Sequence, residues 1–146
     1  MDDAGKTSVL GLLQERPIQP QRRGIPHPIT LSYDSIDLKV FDMGGKIKNR
    51  ALWPMFLADV HGVVFVVDSA DDQRFAEAAD ALHQLVRHPF ASGKFVLVVA
   101  NKQDMPLACS AQQVAWQLAL EQYPEHLYAP FFTFPGTLRD GVVVCG

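Results

Sequence analysis

Short apolar runs alternate with helical stretches along the chain, a pattern typical of an α/β domain with a mostly parallel sheet. Two continuous runs rich in β-branched residues, at 62–68 and 95–101, fit strands that are covered on both faces. Between them, apolar residues recur at helical spacing over residues 71–87, which predicts an amphipathic helix. We therefore expect a doubly wound α/β fold with these two strands at the centre of its sheet.

The remaining elements are predicted by shorter patterns. Residues 29–33 and 36–42 are predicted as two strands joined by a turn, because apolar and polar residues alternate in the second. Residues 110–113 resemble a capping box that opens a helix, and a further helix is predicted over residues 6–14. Beyond these, residues 131–136 are a candidate for a short strand that nothing else in the sequence fixes.

Composition and charge mainly exclude classes of protein and of partner. A chain of 146 residues with 48% apolar and 20% charged residues fits a single soluble globular domain and not a disordered polypeptide. The formal net charge of −3 offers no general attraction for nucleic acid, so no nucleic-acid partner is expected. The two cysteines, Cys109 and Cys145, are too few for a disulfide framework and indicate a reducing compartment, so we expect a cytoplasmic location.

The first chemical motif is D-D-A-G-K-T at residues 2–7, which resembles a phosphate-binding loop without its first glycine. In such a loop backbone N–H groups approach phosphate oxygens, the Lys6 ammonium would neutralise phosphate charge, and the Thr7 hydroxyl would ligate Mg²⁺. The alternative is a chance G-K-T at the start of a helix. The nucleotide contacts predicted here are Asp3, Ala4, Gly5, Lys6, Thr7 and Ser8.

The second motif is D-M-G-G at residues 42–45, directly after a predicted strand. An aspartate at the carboxyl end of a strand can hold Mg²⁺ through water, so Asp42 joins Thr7 as a predicted metal residue. The N–H group of Gly45 can bind a γ-phosphate. Taken alone, D-x-G-G is more often an ordinary turn between a strand and a loop.

The third motif is N-K-Q-D at residues 101–104, at the end of the second buried strand. Asp104 can accept both N–H donors of guanine, which adenine does not offer. Asn101 can contact the base edge and brace the phosphate loop, while the stem of Lys102 can lie along the base plane. The alternative is a solvated pair of charges after a strand.

All three motifs lie at the carboxyl ends of predicted strands or at a helix start, where ligands bind in open α/β sheets. In this order and spacing the chain resembles the small GTPases of the P-loop class. Within them it is similar to the ADP-ribosylation-factor-like family, through D-D-A-G-K-T, F-D-M-G-G, F-V-V-D-S-A-D and V-V-A-N-K-Q-D. R-H-P and S-G-K within residues 87–94 resemble the cilium-associated branch of that family.

The resemblance implies GTP or GDP as ligand, Mg²⁺ as cofactor, and a switch function in intracellular or ciliary traffic. It also implies that effector proteins contact the region from Gly45 to Leu57, which is the second switch of this family. The aromatic residues Trp53 and Phe56 within that region have two equal interpretations, as effector contacts or as core residues beneath a loop.

The sequence departs from the family pattern at both ends. It begins inside the phosphate loop, so we expect the first strand of the fold to be missing, and no closing amphipathic helix is recognisable beyond Arg139. We therefore expect one incomplete small-GTPase-like domain over residues 1–146, marginally stable because two inner strand edges would be unpaired. The amphipathic or lipidated N-terminus of the family is not in this sequence, which gives no basis for predicting membrane association.

Two further departures concern hydrolysis. The family has a threonine that closes over Mg²⁺ and the γ-phosphate, but no threonine occurs between Thr7 and Thr30. Lys46 occupies the position of the glutamine that orients the attacking water, and a lysine can donate but cannot accept a hydrogen bond. We therefore assign no catalytic residue and expect an enzyme with very slow GTP hydrolysis.

Functions of different classes stay open at this point. The first is a guanine-nucleotide-binding Arf-like switch with impaired hydrolysis. The alternative is a nucleotide-free pseudo-GTPase or truncated isoform that acts as a protein-interaction module, favoured by the two ends of the chain and disfavoured by the intact G-K-T and N-K-Q-D. A third, an ATP-using P-loop enzyme, is disfavoured because Asp104 selects guanine.

Overall fold

The computed structural model describes residues 4–6, 27–33, 36–123 and 132–136. Within these ranges the strands form one antiparallel and one parallel sheet. The elements in chain order are β1 (Ile29–Tyr33), β2 (Ile36–Val40), α1 (Ile47–Arg50), α2 (Trp53–Leu57), β3 (Gly62–Asp68), α3 (Phe75–Val86), β4 (Phe95–Asn101), α4 (Ala111–Gln117) and β5 (Phe132–Gly136). This mixture of helices and parallel strands confirms the predicted α/β class.

The parallel sheet has the strand order β3–β4–β5. Its register sets Gly62 opposite Phe95 at one end and Asp68 opposite Asn101 at the other. The two β-branched runs therefore form adjacent strands, and both leave the sheet at the same edge. β5 adds a third strand beside β4, so the candidate strand around residues 131–136 forms as well.

The main core lies between one face of the parallel sheet and the two longer helices. Phe65 and Val98 from the strands pack against the buried residues of α3 and α4, among which Leu82 and Val114 are fully buried. Burial of each such side chain contributes about 1.5–3 kcal/mol. This packing explains the helical spacing of apolar residues over 71–87.

The opposite face of the sheet carries a smaller cluster that reaches the beginning of the described chain. Ala4 is fully buried there against Val66 of β3 and Val99 of β4. The segment that holds the first chemical motif is therefore packed on the sheet by its alanine, close to the edge where β3 and β4 end.

The two sheets are not joined to each other by strand pairing within the described residues. β2 pairs only with β1 there, and β3 pairs only with β4, so β3 is an edge strand of the parallel sheet, whereas β4 is central. Within the described residues, β2 and β3 therefore each have one edge without a strand partner. Most of the helix predicted over residues 6–14 lies outside the described residues.

α4 begins where the sequence indicates. At the start of α4, the Ser110 hydroxyl accepts the N–H of Gln113 at 3.2 Å, and the Gln113 amide accepts the N–H of Ser110 at 2.8 Å. The capping box is therefore confirmed. The longest helix in the described ranges, α3, has 12 residues, and none of the helices there combines the length and apolar character that crossing a bilayer demands.

Candidate functional site

The carboxyl edge of the parallel sheet brings the exits of β3 and β4 together. Asp68 and Asn101 lie opposite each other in register, and the N–H of Ser69 donates to the Asn101 carbonyl at 3.0 Å. This bond continues the ladder one residue past β3. The two loops that leave the sheet here therefore start from a common, hydrogen-bonded base.

Asn101 holds the phosphate-loop segment, here defined as residues 4–6. Its side-chain Nδ2 donates to the carbonyl oxygen of Ala4 at 2.7 Å in a buried contact between residues 97 positions apart. Leaving a buried carbonyl unpaired costs about 1–3 kcal/mol. The structure thus brings Ala4 and Asn101 together in the arrangement that a bracing asparagine requires.

Both the backbone conformation at Gly5 and the neighbouring Asn101 side chain require a glycine at this position. Its φ of +91° lies in the left-handed region that favours glycine. A Cβ atom at this position would lie 2.5 Å from Nδ2 of Asn101, so any larger residue would push the bracing amide away. Lys6 follows as a half-buried residue, whereas Asp3, Thr7 and Ser8 lie outside the described residues, and their roles stay predictions.

Lys102 takes an unusual backbone conformation and an unpredicted partner. Its φ is +63°, and the left-handed region costs a residue other than glycine about 1–2 kcal/mol. Its Nζ lies 2.6 Å from Oδ2 of Asp68, while Oδ1 of Asp68 accepts the N–H of Ala70 at 3.0 Å. Sequence reasoning does not identify Asp68, although its place at the end of a buried strand next to β4 is a usable signal.

The loop that carries the guanine motif, called the base loop below and defined as residues 101–109, is closed on itself. Nε2 of Gln103 donates to the Cys109 carbonyl at 2.8 Å. The N–H of Cys109 in turn donates to the Ser69 carbonyl at 2.8 Å. The base loop is therefore anchored at both ends on the exit of β3, and Asp104 lies exposed on its outer side.

A second carboxylate on the same turn has a different partner. Asp71 accepts a hydrogen bond from Nε of Arg74 at 2.5 Å, and the two form an ion pair. The hydrogen bond to Asp71 is the largest cause that raises the pKa of Arg74, and the charges of Asp71, Asp68 and Glu77 act in the same direction. Arg74 therefore stays charged throughout the physiological range, and Asp71 is occupied away from the base loop.

The D-M-G-G segment, defined here as residues 42–57, leaves β2 and folds back over its own glycines. The Gly44 carbonyl accepts a hydrogen bond from Nε1 of Trp53 at 3.3 Å, and the Gly45 carbonyl accepts one from Nε of Arg50 at 3.1 Å. The Asn49 side chain covers Gly44 so closely that a Cβ atom there would overlap its amide nitrogen. A side chain at Gly44 would therefore displace the Asn49 amide.

One ion pair connects the D-M-G-G segment to the main core. Arg50 also binds Glu77 on α3 through Nη2 and Oε1, with 16% of the arginine side chain exposed. Arg50 thus ties the turn at Gly45 to α3. No local pattern indicates this tie, because Arg50 and Glu77 are 27 positions apart.

Packing distinguishes two kinds of apolar residue within the D-M-G-G segment. Trp53 packs edge-on against Phe65 and touches the main core, and Phe56 contacts the ring of Phe41 at 4.9 Å between centroids. Ile47 and Met55, by contrast, are 72% and 62% exposed. The core interpretation therefore fits Trp53, whereas both interpretations stay open for Phe56, which packs on Phe41.

The donor set fits a magnesium nucleotide better than a metal ion held by protein alone. Among the described residues, no group of three or more His, Cys, Asp and Glu side chains is arranged to hold a metal. Mg²⁺ in phosphate sites is held by one or two protein oxygens together with substrate phosphates and water. Asp42, half-buried just beyond β2, can supply one such oxygen, whereas Lys46 is exposed directly before α1.

The chain is similar to known proteins over most of its length. A model of the ADP-ribosylation factor family matches residues 1–135. The chain is 36% identical over 130 residues to ADP-ribosylation factor-like protein 1 of Saccharomyces cerevisiae, a match that covers 88% of this chain and 71% of that protein. It is 36% identical over 124 residues to ADP-ribosylation factor-like protein 13B of Chlamydomonas reinhardtii, covering 82% of this chain and 23% of that longer protein.

A solved structure shows the same fold. The Arl6 BBS3 small GTPase from Trypanosoma brucei, with the bound nucleotide analogue GppNp, aligns with a TM-score of 0.77 and 26% identity. The alignment covers 90% of this chain and 79% of that chain. The α/β arrangement described above is therefore the small-GTPase fold.

Proposed function

Because the chain belongs to the ADP-ribosylation factor family of small GTPases, we propose that it is a guanine-nucleotide switch whose own GTP hydrolysis is very slow. Membership makes it an Arf-like GTP-binding regulatory GTPase, with GTP or GDP and Mg²⁺ as its ligands. The slow hydrolysis, the residue roles and the traffic function are the parts that we propose.

The buried bond from Asn101 to Ala4 is the observation that supports nucleotide binding at this site most directly. It joins the phosphate-loop segment to the base loop through atoms of the protein itself, next to a glycine that tolerates no side chain. Such pre-organisation lowers the conformational cost of binding a ligand that touches both loops at once. A guanine nucleotide, with phosphates at one end and a base at the other, is a ligand of that shape.

The roles proposed for the individual residues follow from their chemistry. Backbone N–H groups around Gly5 and the ammonium of Lys6 bind phosphate oxygens. Thr7 would hold Mg²⁺ through its hydroxyl and Asp42 through water, and the bound ion would neutralise phosphate charge. The complete set proposed to bind nucleotide is Asp3, Ala4, Gly5, Lys6, Thr7, Ser8, Gly45, Asn101, Lys102 and Asp104.

Slow hydrolysis is proposed from the residue that follows the two glycines. Lys46 is exposed at the position of the glutamine that orients the attacking water in active members. Its ammonium can stabilise phosphate charge, but it has no lone pair with which to accept a hydrogen bond from water. We therefore assign no general base and expect GTP to persist on the protein.

The cellular role that we propose is regulation of intracellular traffic, and ciliary traffic in its narrower form. The narrower form is supported by the similarity of residues 87–94 to the cilium-associated branch. Effectors are proposed to bind the surface between Gly45 and Leu57, where the exposed Ile47 and Met55 offer apolar area that a partner can cover. The cytoplasmic location stays a prediction from the sequence.

One observation favours the second candidate, a nucleotide-free interaction module. Within the described residues the two sheets are separate, and β2 and β3 each have one edge without a strand partner there. Without a strand between them, β2 and β3 would not fix the D-M-G-G segment relative to the phosphate-loop segment through the hydrogen bonds of one sheet. A protein in which these parts are not fixed together would bind partner proteins through its surface and would not bind a nucleotide through its motifs.

Titration with fluorescent GDP and GTP, with ATP as the control, separates the two candidates. Binding of guanine nucleotides alone, with a Kd below about 10 μM, supports the switch. A folded sample that binds none of the three supports the interaction module. Single-turnover GTP cleavage at the rate of an ordinary small GTPase would contradict the slow hydrolysis.

A further inference from the structure

Asp68 at the end of β3 has a role that the family motifs do not assign to it. We propose that Asp68 is a positioning residue of the guanine site, which holds the Lys102 ammonium and thereby fixes the base loop in the conformation that receives the base. Asp68 would thus support the selectivity of the proposed guanine-nucleotide site, on which this inference rests.

The ion pair between Asp68 and Lys102 is close and partly shielded from water. Nζ of Lys102 lies 2.6 Å from Oδ2 of Asp68, and the side chains of the lysine and the aspartate expose 33% and 14% of their surface, respectively. Partly buried charge pairs are screened less by salt than fully exposed ones. The pair therefore restrains the lysine more firmly than an ordinary surface contact would.

The carboxylate of Asp68 is itself fixed. Its Oδ1 accepts the N–H of Ala70, so both oxygens are engaged and the side chain has one orientation. The backbone next to it is also anchored, because Ser69 binds Asn101 through its N–H and Cys109 through its carbonyl. Asp68 is therefore a rigid reference point against which the base loop can be aligned.

Lys102 is the residue of the base loop whose direction depends most on Asp68. Its backbone is in the left-handed region, with φ of +63°, and its carbonyl accepts the N–H of Met105 at 3.0 Å. With the ammonium fixed on Asp68, the methylene stem is stretched along a defined direction and presents an apolar flank. That flank is the surface proposed to lie along the plane of the guanine base.

The same restraint bears on Asp104, two residues further along. Asp104 is exposed on the base loop, so its direction depends on the backbone at Lys102 and on the contact between Gln103 and Cys109. Guanine offers it two N–H donors, whereas hypoxanthine lacks the exocyclic amino group. A base loop released from Asp68 should therefore distinguish GDP from IDP less well.

The test compares Asp68→Asn with Asp71→Asn in the full chain. Asp68→Asn keeps the volume of the side chain and an oxygen for the N–H of Ala70, but it removes the charge that holds Lys102. Asp71 lies on the same turn and pairs with Arg74, so Asp71→Asn removes an equivalent charge away from the base loop. We expect Asp68→Asn to weaken GDP binding about tenfold and to lower the ratio of GDP to IDP affinity about threefold, and Asp71→Asn to change either less than about twofold.

A double-mutant cycle separates positioning from general stability. If Asp68 acts through Lys102, then Asp68→Asn should add less than about a twofold loss of GDP affinity in a Lys102→Ala background. Equal losses of GDP and IDP affinity, an undiminished effect in the Lys102→Ala background, or GDP binding by Asp68→Asn as tight as in the wild type would each overturn the inference alone. Wild-type protein that binds no guanine nucleotide would overturn the proposed function, and this inference with it.

Discussion

The base loop and the D-M-G-G segment are attached to the fold in different ways. The base loop leaves a central strand and is anchored by Asn101, Asp68 and Gln103, each of which reaches a different backbone or side chain. The D-M-G-G segment leaves β2, a strand of the other sheet, and its tie to α3 is the Arg50 side chain. Recognition of the base is therefore built on the parallel sheet, whereas Gly45, whose N–H is expected to bind the γ-phosphate, lies on a segment that is held by the Arg50 and Trp53 side chains.

This difference matches what a switch requires. A segment that changes its conformation with the ligand must come from the less stable part of a fold, because only weakly held contacts can be exchanged. We therefore expect substitutions in the base loop to lower affinity and substitutions in the D-M-G-G segment to alter rates or local mobility.

The largest effect on GDP affinity is expected from Gly5→Ala, in the phosphate-loop segment that Asn101 of the base loop holds. A side chain at φ of +91° is strained, and the new Cβ would displace the Asn101 amide from Ala4. The strain and the lost buried hydrogen bond together amount to roughly 3 kcal/mol, or about 100-fold in GDP affinity if all of it appears in binding. Equilibrium titration with fluorescent GDP measures this loss.

Gly93→Ala is the matched control for that substitution. Gly93 has a φ of +74°, but a Cβ atom there would meet no heavy atom within 4 Å. It should therefore carry the backbone strain and leave GDP affinity unchanged. A loss of affinity as large in Gly93→Ala as in Gly5→Ala would show that global destabilisation, and not the brace, explains the effect.

Asn101→Ala tests how much the brace contributes to the fold itself. The substitution leaves the buried Ala4 carbonyl without its partner, so the free energy of unfolding should fall by about 1–3 kcal/mol. Chemical denaturation followed by circular dichroism measures the change. Gln103→Ala, which removes a partly buried amide from the same loop, should cost less than half as much, and an equal cost would refute a special role for the brace.

Lys46→Gln tests the D-M-G-G segment through a rate. A glutamine at this exposed position can both accept and donate a hydrogen bond, so single-turnover GTP hydrolysis should rise at least about tenfold. Lys48→Gln makes the same change of charge two residues further along, also at an exposed position, and should leave the rate unchanged. Equal rates in Lys46→Gln and the wild type would mean that the slow step lies elsewhere.

The parts of the molecule that the sequence predicts well are those determined by local pattern. β3 and β4 follow from β-branched runs, and α4, which is capped by Ser110, follows from a capping box, because each depends on residues close together in the chain. Gly5 is recognisable from its motif, although the motif does not show the contact with Asn101 that makes it necessary. Local pattern identifies the residue, and tertiary structure supplies the reason.

The parts that the sequence does not predict are contacts between distant positions. Asp68 and Lys102 are 34 residues apart, and nothing in either local sequence shows that parallel pairing of β3 and β4 brings their loops together. α1 and α2 also escape prediction, because each is only four or five residues long and too short for helical periodicity to appear. In both cases the deciding information lies in the register of the sheet or in packing against the core.

The smallest effect is expected from Arg50→Ala, which would remove one tie of the D-M-G-G segment without touching the base loop. Its ion pair with Glu77 is only partly buried, so unfolding stability should fall by no more than about 1 kcal/mol and GDP affinity by less than about twofold. Hydrogen exchange of the backbone amides over residues 44–57 should become several-fold faster, because Gly45 loses its tie to α3. Arg74→Ala breaks the pair with Asp71 instead and should leave that exchange unchanged. If Arg50→Ala lowered GDP affinity as strongly as Gly5→Ala, the two regions would be one cooperative unit, and the division between the base loop and the D-M-G-G segment would be wrong.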